Sequence, residues 1–311
     1  MNGVLHYILI TTLCVEFIVG SLGNAFIVLV NIMDWIKKRK ISFIDQIFTA
    51  LAISRIGFLC SIITTILIYE LYPALIMTKR LVKEINMSWT VTNHFSIWLA
   101  TSLSIFYFLK IGIFSNSIFH LKWRVKQVVS VTLLVSLLIF FLNILIINKC
   151  LDVWVDEHEV NMNYSAILST ANQISRHILL INTVFTFIPF TVSLVMFLLL
   201  IFSLWRHLKN MQGNATGFRD ISTAAHIKAL QMVVTFLLMY TIFFLSILLQ
   251  FCNIKFKKKH LGSLLFSIIG FAFPSVHSYI LILGNTKLRQ AFLLMVSWLR
   301  CRVSDAEPLD S

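Results

Sequence analysis

The chain has 311 residues, of which 58% are hydrophobic and only 13% charged, with 27 Phe. Soluble domains carry about 25% charged residues, so this composition excludes an ordinary water-soluble domain and points to a lipid-embedded protein. The formal net charge of +13 does not indicate a nucleic-acid partner: Lys and Arg sit in short clusters between apolar runs, as membrane proteins place them.

Runs of about 20 apolar residues mark spanning helices. Seven are predicted: Tyr7–Met33, Ile47–Tyr69, Trp89–Ile113, Val128–Ile147, Leu179–Trp205, Ala229–Cys252 and Leu261–Leu283. The first has no basic n-region and is too long for a signal-peptide core, so it reads as a span. The connections are short apart from residues 148–178, and no soluble domain fits between them. The expected fold is therefore an all-α membrane protein, a seven-transmembrane bundle over 1–284. An amphipathic interfacial helix over 285–303 and a polar, disordered tail over 304–311 complete it.

Orientation follows from basic residues counted on alternate sides. Of the 26 Lys and Arg, Arg55 lies within a span, sixteen fall on the side of Lys37–Lys40 and Lys287, and nine fall on the other. The richer side is cytoplasmic, which places the N-terminus outside. Asn163-Tyr-Ser165 is then an outer-loop glycosylation sequon. In the last segment Leu288, Phe292, Met295 and Leu299 recur at helical spacing, with most basic residues elsewhere on the wheel, as an inner-leaflet helix requires.

The second span carries the anomalous residue. Arg55 stands mid-way along IFTALAISRIGFLCSIITTILIY, where a guanidinium costs roughly 2.5–3.5 kcal/mol on insertion scales and so demands a buried partner. No carboxylate lies at matching depth in any span, Glu16 being nearer the outer face. Neutral acceptors are expected instead: Asn24 on the first span, and Ser278 or nearby carbonyls on the seventh. Pro189 and Pro274 lie inside spans five and seven, where proline frees a backbone carbonyl.

Six strings in order carry a resemblance: GSLGNAFIVLVN from Gly20, LAISR ending at Arg55, NHFSIWLATSLSIFYFLKI from Asn93, IPFTVSLVMFLLLIFSLWRHLKNM from Ile188, RDISTAAHIKAL from Arg219, and PSVHSYILILGNTKLR from Pro274. Together they resemble the bitter taste receptors, the type 2 taste receptor family of G-protein-coupled receptors, from about Gly20 to Arg289. The sequence also lacks Asp-Arg-Tyr after span three and Asn-Pro-x-x-Tyr in span seven, the marks of rhodopsin-like receptors.

The resemblance implies that small bitter compounds bind in the outer half of the bundle. It places Trp89, Thr90, Asn93 and His94 on that cavity, and Trp89 and Asn93 share a helical face by their i, i+4 spacing. Phe243, Ser267 and Gly270 are further implied walls. Some family members carry an acidic residue where Ser267 aligns; without it a cationic ligand loses its counter-ion. An activation switch is implied at Asn24, Arg55 and Ser278. The implied partner is a heterotrimeric, gustducin-type G protein, met by Tyr107, Lys110, His207, Met211 and His226, with phospholipase C and calcium release downstream. The plasma membrane is the implied location. Many members have an outer-loop sequon; the aligned position here reads Asn161-Met-Asn163, and Asn163 substitutes two residues on.

No phosphate-binding glycine loop, paired carboxylate or nucleophile elbow appears, and no cofactor or metal is expected. A pheromone-type receptor of the same fold is the first alternative, opposed by the strings in spans two, three and seven. A small transporter is the second, opposed by the lack of internal repeats.

Overall fold

A backbone amide in hydrocarbon finds no water, so a chain this apolar must satisfy its amides within helices. The computed structural model describes residues 2–38, 40–72, 79–111, 125–157, 164–213, 221–253 and 259–304. Among them are eight helices: α1 (Asn2–Lys38), α2 (Phe43–Leu71), α3 (Lys79–Ile111), α4 (Val125–Glu157), α5 (Tyr164–Gly213), α6 (Ile221–Asn253), α7 (Lys259–Gly284) and α8 (Thr286–Ser304). The loop sequon at Asn163 and the tail beyond Ser304 lie outside the described residues.

Each of the first seven helices contains most of one expected span. Two connections are shorter than the sequence indicates. Residues 148–178 are largely helical, because α4 runs on to Glu157 and α5 starts at Tyr164. The segment between His207 and His226 is likewise mostly helix, with α5 reaching Gly213 and α6 starting at Ile221. Hydropathy ends where lipid ends, but helical hydrogen bonding does not need lipid to continue.

α1 packs on α2, α2 on α3, α3 on α5, α5 on α6, α6 on α7 and α7 back on α1, closing a ring; α4 lies outside it against α3 and α5. The polarity is inverted relative to a soluble protein. On α4, Leu134, Leu138, Phe141 and Leu145 form an exposed stripe at helical spacing. Asn24, Arg55, Asn93, Ser102 and Ser278 are buried inside the bundle. Such a surface suits hydrocarbon as its solvent.

By length and composition, α1, α2, α4, α5 and α7 each carry a stretch apolar enough to cross a membrane, and α6 carries the shorter apolar stretch Val234–Gln250. α3 is more polar because it is enclosed by protein: Thr90, Asn93, His94, Ser96, Thr101, Ser102 and Ser104 are all buried on it.

The cytoplasmic ends are tied by one lysine. Lys287 at the start of α8 contacts Asp34 of α1 at 2.8 Å, Asp45 of α2 at 3.2 Å and the Asn31 amide oxygen at 3.0 Å. Ser42 caps α2 by accepting from the Asp45 amide at 3.2 Å, which sets Asp45 in the first turn. Leu288 is fully buried and Phe292 meets Phe26 edge-on at 5.8 Å, so α8 is anchored to the bundle before its apolar face opens outward.

Small residues let α1 and α7 approach closely. A Cβ added at Gly20 would collide with Ser275, and one at Gly23 would stand 2.7 Å from the Ser278 hydroxyl oxygen. Across the same seam the Tyr279 hydroxyl donates to the Val19 carbonyl at 2.9 Å. Close backbone approach through small residues is the usual basis of helix association in lipid. Gly20→Val is therefore expected to destabilise the bundle by about 1–3 kcal/mol, read as a lower thermal midpoint of the purified receptor in detergent; an unchanged midpoint would refute this packing.

Candidate functional site

Arg55 is completely buried on the inner face of α2. Its hydrogen-bond partner is the Nδ1 of His277 on α7, and its guanidinium carbon lies 5.4 Å from the centre of the Phe273 ring. A guanidinium has only donors, so His277 accepts through Nδ1 as a neutral imidazole. The ring face of Phe273 adds a cation–π contact inside a low-dielectric site.

The two neutral partners expected from the sequence are engaged elsewhere. The Asn24 amide donates to the Gly20 carbonyl at 2.8 Å and more weakly to the Pro274 carbonyl at 3.5 Å. The Ser278 hydroxyl bonds back to the Ser275 carbonyl at 2.6 Å. All three helices do converge here, and the partner is neutral as expected, but it is an imidazole one residue from Ser278. Helical registry decides this, because a shift of one residue turns a side chain about 100° around the axis.

Around the arginine lies an aromatic cluster. Phe236 sits 4.1 Å from the His277 ring, Tyr240 stacks on Phe273 at 5.3 Å, and Phe190 stacks on Phe244 at 4.3 Å. Phe243 belongs to this cluster, 5.1 Å from Phe273 and 6.3 Å from Phe58. The contacts couple α5, α6 and α7 to the arginine on α2.

A separate cleft opens between α3, α4 and α5. Thr90, Asn93, His94, Ile97 and Trp98 line it from α3, and Asn143 from α4. Asn182, Phe185, Thr186 and Pro189 line it from α5. The room left inside is only about 10 Å3, close to that of one water and far below the roughly 300–1,000 Å3 of small-molecule sites, so the helices are packed nearly shut here. Its polar groups are linked: Asn143 donates to the Asn182 carbonyl oxygen at 3.1 Å, Asn182 to the Thr90 hydroxyl at 3.0 Å, and Asn93 to the Thr186 hydroxyl at 3.4 Å. His94 donates to the Ser136 carbonyl at 3.1 Å and packs on Phe140 at 5.0 Å, joining α3 to α4.

Three of the seven expected ligand residues, Thr90, Asn93 and His94, thus share one cleft. Trp89 is half-buried against the central core. Ser267 accepts from Gln250 at 3.4 Å, and Gly270 faces Ser246; both lie on the α6–α7 seam, apart from the cleft. Of the expected cytoplasmic contacts, Tyr107 is half-buried and the exposed Lys110 rests 5.4 Å over the Phe106 ring. The side chains of His207, Met211 and His226 lie outside the described residues.

Sequence reasoning missed His277, Asn143 and Asn182. The signal was present for the amides: each stands alone in an apolar span, FFLNILII and LLINTVF, where a polar side chain needs a mate.

A seven-helix bundle with a buried arginine, a small polar cleft and an amphipathic eighth helix can be set beside known proteins. The profile described as Taste receptor protein (TAS2R) matches residues 1–300. The chain is 60% identical to Taste receptor type 2 member 140 of Rattus norvegicus over 300 residues, 96% of each chain. It is 54% identical to Taste receptor type 2 member 125 of Rattus norvegicus over 310 residues, 99% of each. It is 48% identical to Taste receptor type 2 member 14 of Homo sapiens, covering 99% of this chain and 97% of the other. The chain belongs to the taste receptor type 2 family. Type 2 taste receptors are seven-transmembrane, G-protein-coupled receptors of bitter taste. The resemblance seen in the sequence strings is therefore correct over nearly the whole chain.

A double-mutant cycle tests the arginine's partner. His277→Leu strands a buried guanidinium and is expected to lower stability strongly, whereas Arg55→Met with His277→Leu should recover much of it, a coupling of about 1–3 kcal/mol. Additive losses in thermal midpoint would show that the two do not interact.

Proposed function

We propose that this taste receptor type 2 protein sits in the plasma membrane, takes small bitter compounds into the outer half of its bundle and activates a gustducin-type G protein. Phospholipase C and calcium release follow. The observation that carries the ligand site is the cleft at Thr90, Asn93 and His94, where buried polar groups converge in the outer half of α3. Trp89, Phe243, Ser267 and Gly270 then act as neighbouring walls that shape access from α3, α6 and α7.

Arg55, with Asn24 and Ser278 at the same helix junction, serves as the activation switch in this reading. The junction joins α1, α2 and α7, and the aromatic cluster extends it to α5 and α6. A ligand that displaces α3 against α5 changes the packing of that cluster, which is how a small shift reaches a bistable contact. On the inner face Tyr107, Lys110, His207, Met211 and His226 form the G-protein contact, and Asn163 carries the outer glycan. Residues 1–284 form the receptor domain, 285–303 the interfacial helix and 304–311 a polar tail.

The reading is tested by expressing the chain with a promiscuous G-protein chimera and recording calcium release against a panel of bitter compounds. Agonists are expected, with potency lowered about tenfold or more by Asn93→Ala at equal surface level. Among the described residues no carboxylate lines the cleft, so quaternary ammonium compounds should act more weakly than neutral isosteres. Silence across the panel, or responses indifferent to Asn93→Ala, would overturn this assignment; coupling to gustducin in particular is read by G-protein dissociation in the same cells.

A further inference from the structure

Ser42 stands between α1 and α2, on the face that the count of basic residues puts in the cytoplasm. The chain before it reads Lys37-Lys38-Arg39-Lys40-Ile41. The abundance of base there follows from the rule that orients membrane proteins, but the order of the residues carries more. Only two Ser or Thr residues in the sequence have arginine three positions before them, Ser42 and Ser222, and at Ser222 the intervening Asp220 is acidic. Arginine at that position followed by lysine is the charge pattern that the acidic groove of an arginine-directed kinase reads. Ser42 is exposed, as is Lys40. Its backbone is extended, with φ −71° and ψ 154°, the conformation in which a kinase holds its acceptor. Helix ends fray, so the first turn of α2 can yield to the groove.

We propose that Ser42 is a phosphorylation site for an arginine-directed serine kinase, and that the phosphate replaces the hydroxyl as the cap of α2. The inference rests on the orientation given above, which puts Ser42 where ATP and kinases are. The Ser42 Oγ attacks the γ-phosphorus of ATP: an O–P bond forms, the bond to ADP breaks, and the hydroxyl proton passes to the kinase's base. In the unmodified chain this oxygen accepts from the Asp45 amide at 3.2 Å. A phosphoryl oxygen is a stronger acceptor at the positive end of a helix. The acids of the junction are already matched, Asp45 by Lys287 at 3.2 Å and Asp34 by Lys287 and Lys38 at 2.8 and 2.9 Å. The added negative charge therefore falls beside the basic run Lys37–Lys40, and the modified junction holds.

The test incubates the purified full-length receptor with ATP and the catalytic subunit of cAMP-dependent protein kinase, and locates the phosphate by peptide mass spectrometry. Ser42 is expected to be modified, at an initial rate at least about tenfold lower in Arg39→Ala, which leaves the cap intact. The phosphorylated receptor should melt above the unmodified one. No phosphate at Ser42, a rate unchanged in Arg39→Ala, or a lowered thermal midpoint would each overturn the proposal. Sealed membrane vesicles separate the site from the orientation. Label is expected only in vesicles with the cytoplasmic face outward. Label confined to vesicles of the opposite sense refutes the orientation beneath the proposal; label in neither, from a receptor that is modified in detergent, refutes the site alone.

Discussion

A guanidinium in the middle of a lipid-embedded bundle sets the terms for the helices around it. Burying an isolated charge costs several kcal/mol after relaxation, and arginine cannot shed its proton to escape that cost. Here Arg55 is met by a neutral imidazole and an aromatic face in place of a carboxylate. Its Nε and Nη1 find no hydrogen-bond partner among the described residues, so the compensation rests on the imidazole and the ring face, with no carboxylate locking the junction.

The seam beside it is built on the same economy of space. Gly20 and Gly23 admit α7 close enough for Ser275 and Ser278 to nest against α1, and the carbonyl of Pro274 faces Asn24. Lys287 closes the cytoplasmic end by bringing together Asp34 and Asp45 from two helices. Between these ties the bundle varies in polarity, from an aromatic interior around Phe236 and Phe273 to an amide-lined cleft beside α4. The two regions meet at Pro189, whose carbonyl accepts from Thr101 at 3.2 Å and which itself lines the cleft.

Much of this was legible in the sequence because lipid imposes simple rules. Spans are long apolar runs, loops on the cytoplasmic side are basic, and a buried arginine needs a neutral or acidic mate. The strings around Arg55, Asn93 and Pro274 added the family. The cleft was half legible: Thr90, Asn93 and His94 were expected there, but Asn143 and Asn182 were passed over as lone amides in apolar runs. Amide pairing across helices has no local signature, since Asn143 and Asn182 are 39 residues apart in the chain.

Seven apolar segments, their orientation, the family and the oddity of Arg55 are properties of composition and order along the chain, and the sequence by itself determined them. Which side chain meets Arg55 was decided only in three dimensions. His277 and Ser278 are adjacent in sequence yet point to different neighbours, because rotation about the helix axis separates them. The same holds for the cleft, where Asn93 from α3 and Asn143 from α4 line a common space. Patterns of hydropathy tell which segments are buried; only the registry of packed helices tells which atoms they face.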